Sequence, residues 1–402
     1  MKKSQKALLV GNATLMLLFL GILYTWSMFR IELAAAFPEW SAAQLSLNFT
    51  ITSIGFCLGG FFSGKLFPRL GPRPGARAAA VMLLVGFVGC SFIDKLSGTT
   101  ALAVLYVCYG AITGLGVGIG YNSIISGTSP WFPDSIGLVS GIMLMGFGLG
   151  SLLLGLAVEA LCGVMSVFRV FRVCGIVIFL ILMAGSFLLQ RPAPAVPKAE
   201  MEDEAGLSPG KVLTTASFWV YFIWNTVASS SGLMVINSSA NIALAFGCAA
   251  GLGLTVSLFN GLCRPLVGTM MDKLGRLGGM LIMNGILLLG GLLLITAAKT
   301  GFAALVFAGM ILVGVCYGGG VTISARVIRD LYGPKYYSVN FSLSNFCMIP
   351  AAFIGPLLSG VLQDRSGGAY DSTFLLLTGM ALLALAAAFL LDFIVKKESR
   401  RA

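Results

Sequence analysis

Apolar positions along this chain do not alternate with polar ones, and they do not recur as one stripe of a water-facing helix. They form long unbroken runs near 7–29, 42–63, 77–95, 100–126, 137–160 and 170–190. A second set lies near 215–237, 245–270, 277–298, 301–326, 338–362 and 372–395. About 20 mainly apolar residues are enough for a helix to cross the hydrocarbon layer. Gly, Pro and charged residues punctuate the gaps between runs, where a chain turns. The pattern predicts an all-α membrane protein with twelve transmembrane helices. A β-barrel would need short segments of alternating polarity, which are not the pattern here.

One gap differs from the rest. Between 191 and 212 stand Pro192, Pro194 and Pro197, then the acidic cluster Glu200-Met201-Glu202-Asp203-Glu204, then Pro209-Gly210. This reads as a solvated linker. It divides the chain into an N-terminal six-helix bundle, 1–190, and a C-terminal six-helix bundle, 213–402. The first run, preceded by Lys2, Lys3 and Lys6, resembles a secretory leader, and Ala34-Ala35-Ala36 even resembles a cleavage site. It is longer than the 7–15 residues of a leader's apolar core, so an uncleaved first helix is expected.

Composition sharpens this picture. Of the 402 residues 57% are hydrophobic and 10% charged, with a mean hydropathy of +0.95; soluble domains carry about 25% charged residues. The 52 glycines suggest helices packed through small faces. There is no histidine, so imidazole catalysis, proton relay and metal ligation are excluded. The nine cysteines lie mostly inside apolar runs with no CxxC pair and read as small buried hydrophobes. No metal or other cofactor is expected, and no enzymatic activity. The net charge of +11 is dispersed among loops, which argues against a nucleic-acid partner and fits attraction to anionic lipid. Of the 26 Lys and Arg, 19 fall on the side of the termini and linker and 6 on the other, Arg30 among the 6. The positive-inside rule then puts both termini in the cytoplasm. A multi-pass protein of the plasma membrane, active as a single chain, is expected.

A short motif recurs. Gly64-Lys65-Leu66-Phe67-Pro68-Arg69-Leu70-Gly71 follows the second run, and Gly268-Thr269-Met270-Met271-Asp272-Lys273-Leu274-Gly275-Arg276 follows the eighth. Gly64/Gly268, Arg69/Lys273 and Gly71/Gly275 are each 204 residues apart. Parallel halves of this kind mark transporters whose substrate site lies between them. The second copy resembles the G-x-x-x-D-x-x-G-[RK] signature of the major facilitator superfamily. The first departs from it, with Pro68 in place of the acid, which puts an acid-based latch there in doubt. The resemblance implies that these residues serve a conformational switch. Four further segments, in order, resemble the oxalate/formate antiporter family of organic-anion carriers. They are Gly21-Ile22-Leu23-Tyr24-Thr25-Trp26-Ser27-Met28-Phe29, Trp131-Phe132-Pro133-Asp134, Asn260-Gly261-Leu262-Cys263-Arg264-Pro265 and Asp330-Leu331-Tyr332-Gly333-Pro334-Lys335-Tyr336-Tyr337.

Arg264 is the most informative residue. It lies eight positions before Asp272, which is ~12 Å along a helix and near the bilayer midplane. A charge there costs at least ~2.5–3.5 kcal/mol, and no Asp or Glu falls in the middle of any run. An anionic ligand would neutralise it, and the planar guanidinium fork suits a carboxylate. The alternative is a helix break near Pro265 whose backbone carbonyls hold the arginine. Ser257 and Asn260 share its helix face. The family resemblance also implies substrate binding by Arg264. Oxalate-carrying relatives add a lysine in the eleventh helix, where Met348 stands here. A single central cation favours a monocarboxylate, or a carboxylate with polar substituents, over oxalate.

Weaker pocket candidates are Tyr24, Trp26, Tyr121, Trp224, Tyr317 and Asn345. Gly114, Gly116, Gly118 and Gly120 read as a close-packing face. Ser229-Ser230-Ser231-Gly232 reads as a flexible or broken stretch of the seventh helix. The expected function is secondary transport of small organic anions by alternating access, with exchange of one anion for another. A multidrug or metabolite exporter of the same fold is one alternative, and a non-transporting membrane sensor is another.

Overall fold

The computed structural model describes residues 3–132, 136–190, 206–333 and 335–399. Most of the linker, Pro133 and Asp134 of the fourth loop, and Pro334 therefore lie outside the described residues. So do the side chains of Arg69, Pro265 and Asp272. The described residues are almost wholly helical. The N-terminal half comprises α1 (Ser4–Ala36), α2 (Ala42–Leu70), α3 (Pro72–Cys90), α4 (Gly98–Thr128), α5 (Ile136–Cys162) and α6 (Val167–Leu188). The C-terminal half begins with α7 (Ala216–Ala245). A single helical run, Thr255–Thr300, is broken at Gly275 and so makes two passes, α8 before the break and α9 after it. Then come α10 (Ala303–Tyr332), α11 (Val339–Arg365) and α12 (Asp371–Ser399). Among the described residues eleven helices are long and apolar enough to cross a membrane. The twelfth pass is α8, which carries the central arginine.

Gly71 and Gly275, the repeated turn glycines, adopt nearly one backbone conformation, φ 86°, ψ 176° and φ 66°, ψ −174°. That region is essentially closed to any residue with a Cβ. The sequence repeat is thus a repeat of backbone geometry. The motif's first glycines also match in role: Gly64 lies against Asn122 of α4, and Gly268 against Thr322 of α10.

The α4 glycines pack two neighbours at once. A Cβ on Gly118 would stand 2.8 Å from the Phe56 carbonyl carbon of α2, and one on Gly114 3.0 Å from Thr52 Cα. On Gly116 and Gly120 a Cβ would stand 2.7 and 2.9 Å from Leu83 and Ala79 of α3. Such contacts replace the hydrophobic drive that lipid does not supply.

The serine-rich stretch of α7 is not broken. Ser230 and Ser231 donate to the carbonyls of Thr226 and Val227, one turn back, and Gly232 receives the ring of Tyr317. Irregular backbone occurs elsewhere. α1 tightens to a 3-10 turn at Gly21–Thr25, and α4 widens to a π-turn at Tyr106–Thr113, where the Thr113 hydroxyl donates to the Cys108 carbonyl. α11 turns at Phe346-Cys347 and widens at Phe353–Leu357, near Pro350 and Pro356, which cannot donate to the helix.

At the end of the bundle opposite the termini the halves are bonded together. Ser239 donates to Ser27, Asn237 to Ser46, and Thr50 to the Ala352 carbonyl. The Asp364 carboxylate of α11 accepts the backbone N–H groups of Ala42 and Ala43 at the start of α2. Arg30 is not a loop cation. α1 continues past it to Ala36, and Arg30 is buried within this seam.

Candidate functional site

Halfway along α8, nine residues from its start at Thr255 and eleven from the break at Gly275, Arg264 is 3% exposed. Its Nε donates to the Asn260 carbonyl at 3.2 Å, and its Nη2 to Asn260 Oδ1 at 3.2 Å. Nη1 crosses to the N-terminal half and donates to the Leu144 carbonyl of α5 at 3.1 Å. The crossing is short because glycines meet there: a Cβ on Gly148 would stand 2.9 Å from Gly261 Cα. Two backbone carbonyls thus hold the arginine, but without the helix break near Pro265 that the sequence alternative assumed: the helix runs on unbroken to Gly275. Among the described residues none of these partners is a carboxylate, so the charge is hydrogen-bonded but not neutralised. A guanidinium offers five N–H donors, and among the described residues three are used. Asn260 Nδ2, fully buried beside it, has no acceptor among the described residues.

Tyr24 of α1 and Tyr317 of α10 meet across the halves, sharing a hydrogen bond of 3.0 Å between hydroxyls with rings edge to face at 6.1 Å. Phe147 of α5 packs on Tyr24 at 5.4 Å and on Tyr121 at 4.9 Å. Gly318, next to Tyr317, leaves room for Asn260, whose Oδ1 would lie 2.7 Å from a Cβ there. The Asn345 carbonyl, at the turn in α11, accepts from the Cys57 thiol of α2 at 3.5 Å. Arg264, Asn260, Tyr24 and Tyr317 thus converge, with Tyr121 behind Phe147 and Asn345 at the adjoining seam of α2 and α11. Ser257 is buried one turn from Asn260.

The two tryptophans are placed elsewhere. Trp26 packs on Tyr109 at 4.9 Å inside the N-terminal bundle. Trp224 donates to Asn284 of α9, which donates to the Ala384 carbonyl of α12, inside the C-terminal bundle. Each fills its own half's core rather than the space around Arg264. Of the switch-loop residues, Lys273 is exposed, and Arg276 pairs with Asp392 at 3.4 Å. The N-terminal counterpart uses arginines differently: Arg73 donates to the Leu189 and Phe187 carbonyls at the end of α6, a cation on a helix C-terminus. Phe147 and Arg30 were not singled out from sequence. A phenylalanine in an apolar run carries no signal of its own, and Arg30 stood just beyond a run's apparent end.

Residues 11–256 and 229–402 match the family model described as Major Facilitator Superfamily. The oxalate:formate antiporter of Oxalobacter formigenes is 26% identical over 400 residues, 98% of this chain and 92% of that protein. Mouse monocarboxylate transporter 10 is 26% identical over 335 residues, 75% of this chain and 61% of that one. Among solved structures, a bacterial homologue of the lysosomal transporter Spinster superposes with a TM-score of 0.75 at 16% identity, covering 99% of both chains.

Proposed function

Starting from the chain's membership of the major facilitator superfamily, a family of transporters rather than enzymes, we propose that it carries small monocarboxylates across the plasma membrane by alternating access, preferring exchange to net flux. Its termini face the cytoplasm, and residues 191–212 link bundles 1–190 and 213–402. The observation that carries the reading is the state of Arg264: buried at mid-depth and bonded to neutral oxygens, with two N–H groups to spare and an unpartnered Asn260 Nδ2 beside it among the described residues. Those donors match the two oxygens of one carboxylate. Tyr24 and Tyr317 offer hydroxyls on either side of the seam, and Phe147 and Tyr121 offer an apolar wall. A single cation favours a singly charged ligand over oxalate. The names of the relatives agree with this class of cargo without fixing the compound.

The test is uptake of radiolabelled formate, acetate and lactate, with oxalate as competitor, into proteoliposomes. Arg264→Gln is expected to insert and fold but lose uptake at least ~100-fold, the ~3 kcal/mol worth of a charge-assisted pair. Uptake of normal affinity by Arg264→Gln would refute the site. Competition by lipophilic cations but not by carboxylates would favour the exporter reading.

A further inference from the structure

At the sealed end, Arg30 is 2% exposed. Its Nη1 donates to Ser238 Oγ of α7 at 2.8 Å and its Nη2 to Gln363 Oε1 of α11 at 3.2 Å. Both acceptors are neutral, and both belong to the other half. Asp364, the nearby acid, spends its oxygens on the Ala42 and Ala43 amides at 2.9 and 3.0 Å. Arg30 lies six residues beyond Tyr24, about 9 Å further along α1, so it is separate from the Arg264 cluster.

Any movement that parts the halves at this end takes both acceptors from Arg30 at once and leaves its guanidinium facing water from α1. A carboxylate makes hydrogen bonds to a guanidinium roughly twice as strong as neutral acceptors do. We propose that Arg30 is a second anion site, specific for carboxylates and available only when this end is open. Carboxylate competes with Ser238 and Gln363 for one guanidinium, so its binding holds the gate open. A ligand that binds one of two states raises that state's population by the factor 1 + [L]/Kd, about tenfold at ten times its Kd. An anion arriving at this face therefore opens the path it will use. This goes beyond the central-site reading and does not require it.

The experiment uses full-length protein in nanodiscs, where both faces are accessible. Ser46→Cys places a thiol in the seam at a position that is fully buried when closed. Its labelling by a maleimide is followed by peptide mass spectrometry while formate replaces chloride at constant ionic strength. The background is Arg264→Gln, which removes the central cation. Formate is expected to speed labelling at least threefold with Arg30 present and to leave the rate unchanged in the added Arg30→Gln variant. Arg30→Lys, which keeps the charge, should retain part of the response. No acceleration with Arg30 intact overturns the proposal without needing the second variant. An equal acceleration in Arg30→Gln, or by nitrate replacing chloride in the same way, overturns it too. Transport by Arg264→Gln is read separately, so the two sites stand or fall independently.

Discussion

Replacing Arg264 by Met separates a structural pin from a waiting ligand site. Met has nearly the volume of the arginine stem and no donor. Three hydrogen bonds would be lost, to the Asn260 carbonyl, Asn260 Oδ1 and the Leu144 carbonyl. Measured side-chain hydrogen bonds inside membrane proteins average ~0.6 kcal/mol, so the three together contribute ~2 kcal/mol. The Asn260 and Leu144 carbonyls are also positioned to accept within their own helices, so losing the arginine does not orphan them. Against this stands the cost of a charge at mid-depth, at least ~2.5–3.5 kcal/mol. The two terms nearly cancel. Arg264→Met is expected to unfold within ~5 °C of wild type, at the few degrees or less per kcal/mol usual for large domains. Differential scanning fluorimetry in detergent reads this. The response of the central site should instead vanish: formate at ten times its Kd there stabilises wild type by ~1.4 kcal/mol through mass action, and the double variant Arg264→Met/Arg30→Gln not at all. A loss of more than ~4 kcal/mol, or a variant that fails to fold, would refute the reasoning and make Arg264 a structural pin.

Two further outcomes follow from the same geometry. Gly275→Ala meets no neighbouring atom but forces a Cβ into φ 66°, ψ −174°, at ~1–3 kcal/mol; its melting temperature should fall, while Gly285→Ala, in the open within the helix α9, should hold or raise it. In proteoliposomes the uncompensated ~1 kcal/mol left at Arg264 after its three bonds should slow return of the empty carrier, so that formate on the far side speeds uptake about fivefold; equal rates with and without it would remove the case for exchange.

Much of the fold was legible because the bilayer allows few solutions. Long apolar runs can be little but helices there, and the 204-residue offset is reproduced by Gly71 and Gly275 as a shared conformation. Helix ends were less legible. The eighth run appeared to begin at 245, but α7 extends to Ala245 and a 3-10 turn fills Ala250–Leu254 before α8 starts. All of that stretch is apolar, so hydropathy cannot tell turn from helix. Ser229-Ser230-Ser231-Gly232 carries the signals of a loop in water. Inside the bundle the Ser230 and Ser231 hydroxyls return to carbonyls of their own helix and the small side chains admit Tyr317. Arg264 stood out because a charge in mid-run must find a partner, and the sequence left two open, a ligand or backbone carbonyls. Which carbonyls, Asn260 and Leu144, it could not say, because carbonyl oxygens leave no mark in a sequence. The tryptophans misled for the opposite reason: a large amphipathic ring suits a pocket wall and a bundle core equally, and only packing decides.

The bonds of Arg264 suggest how occupancy could be felt by the whole molecule. Two of its three hydrogen bonds stay within α8, on Asn260, but the third reaches Leu144 on the other half. A carboxylate on the two spare N–H groups would share Nη1 and Nη2 with Leu144 and Asn260, and by neutralising the charge it would weaken the bond that joins the halves, while the Asn260 contacts travel with the helix. Tyr24 and Tyr317 pose the same choice, since each hydroxyl now satisfies the other across the seam and either could turn to a ligand. In both pairs the group that would bind the anion also holds the halves together. If Arg264 is the proposed site, cargo and conformation are coupled through shared donors.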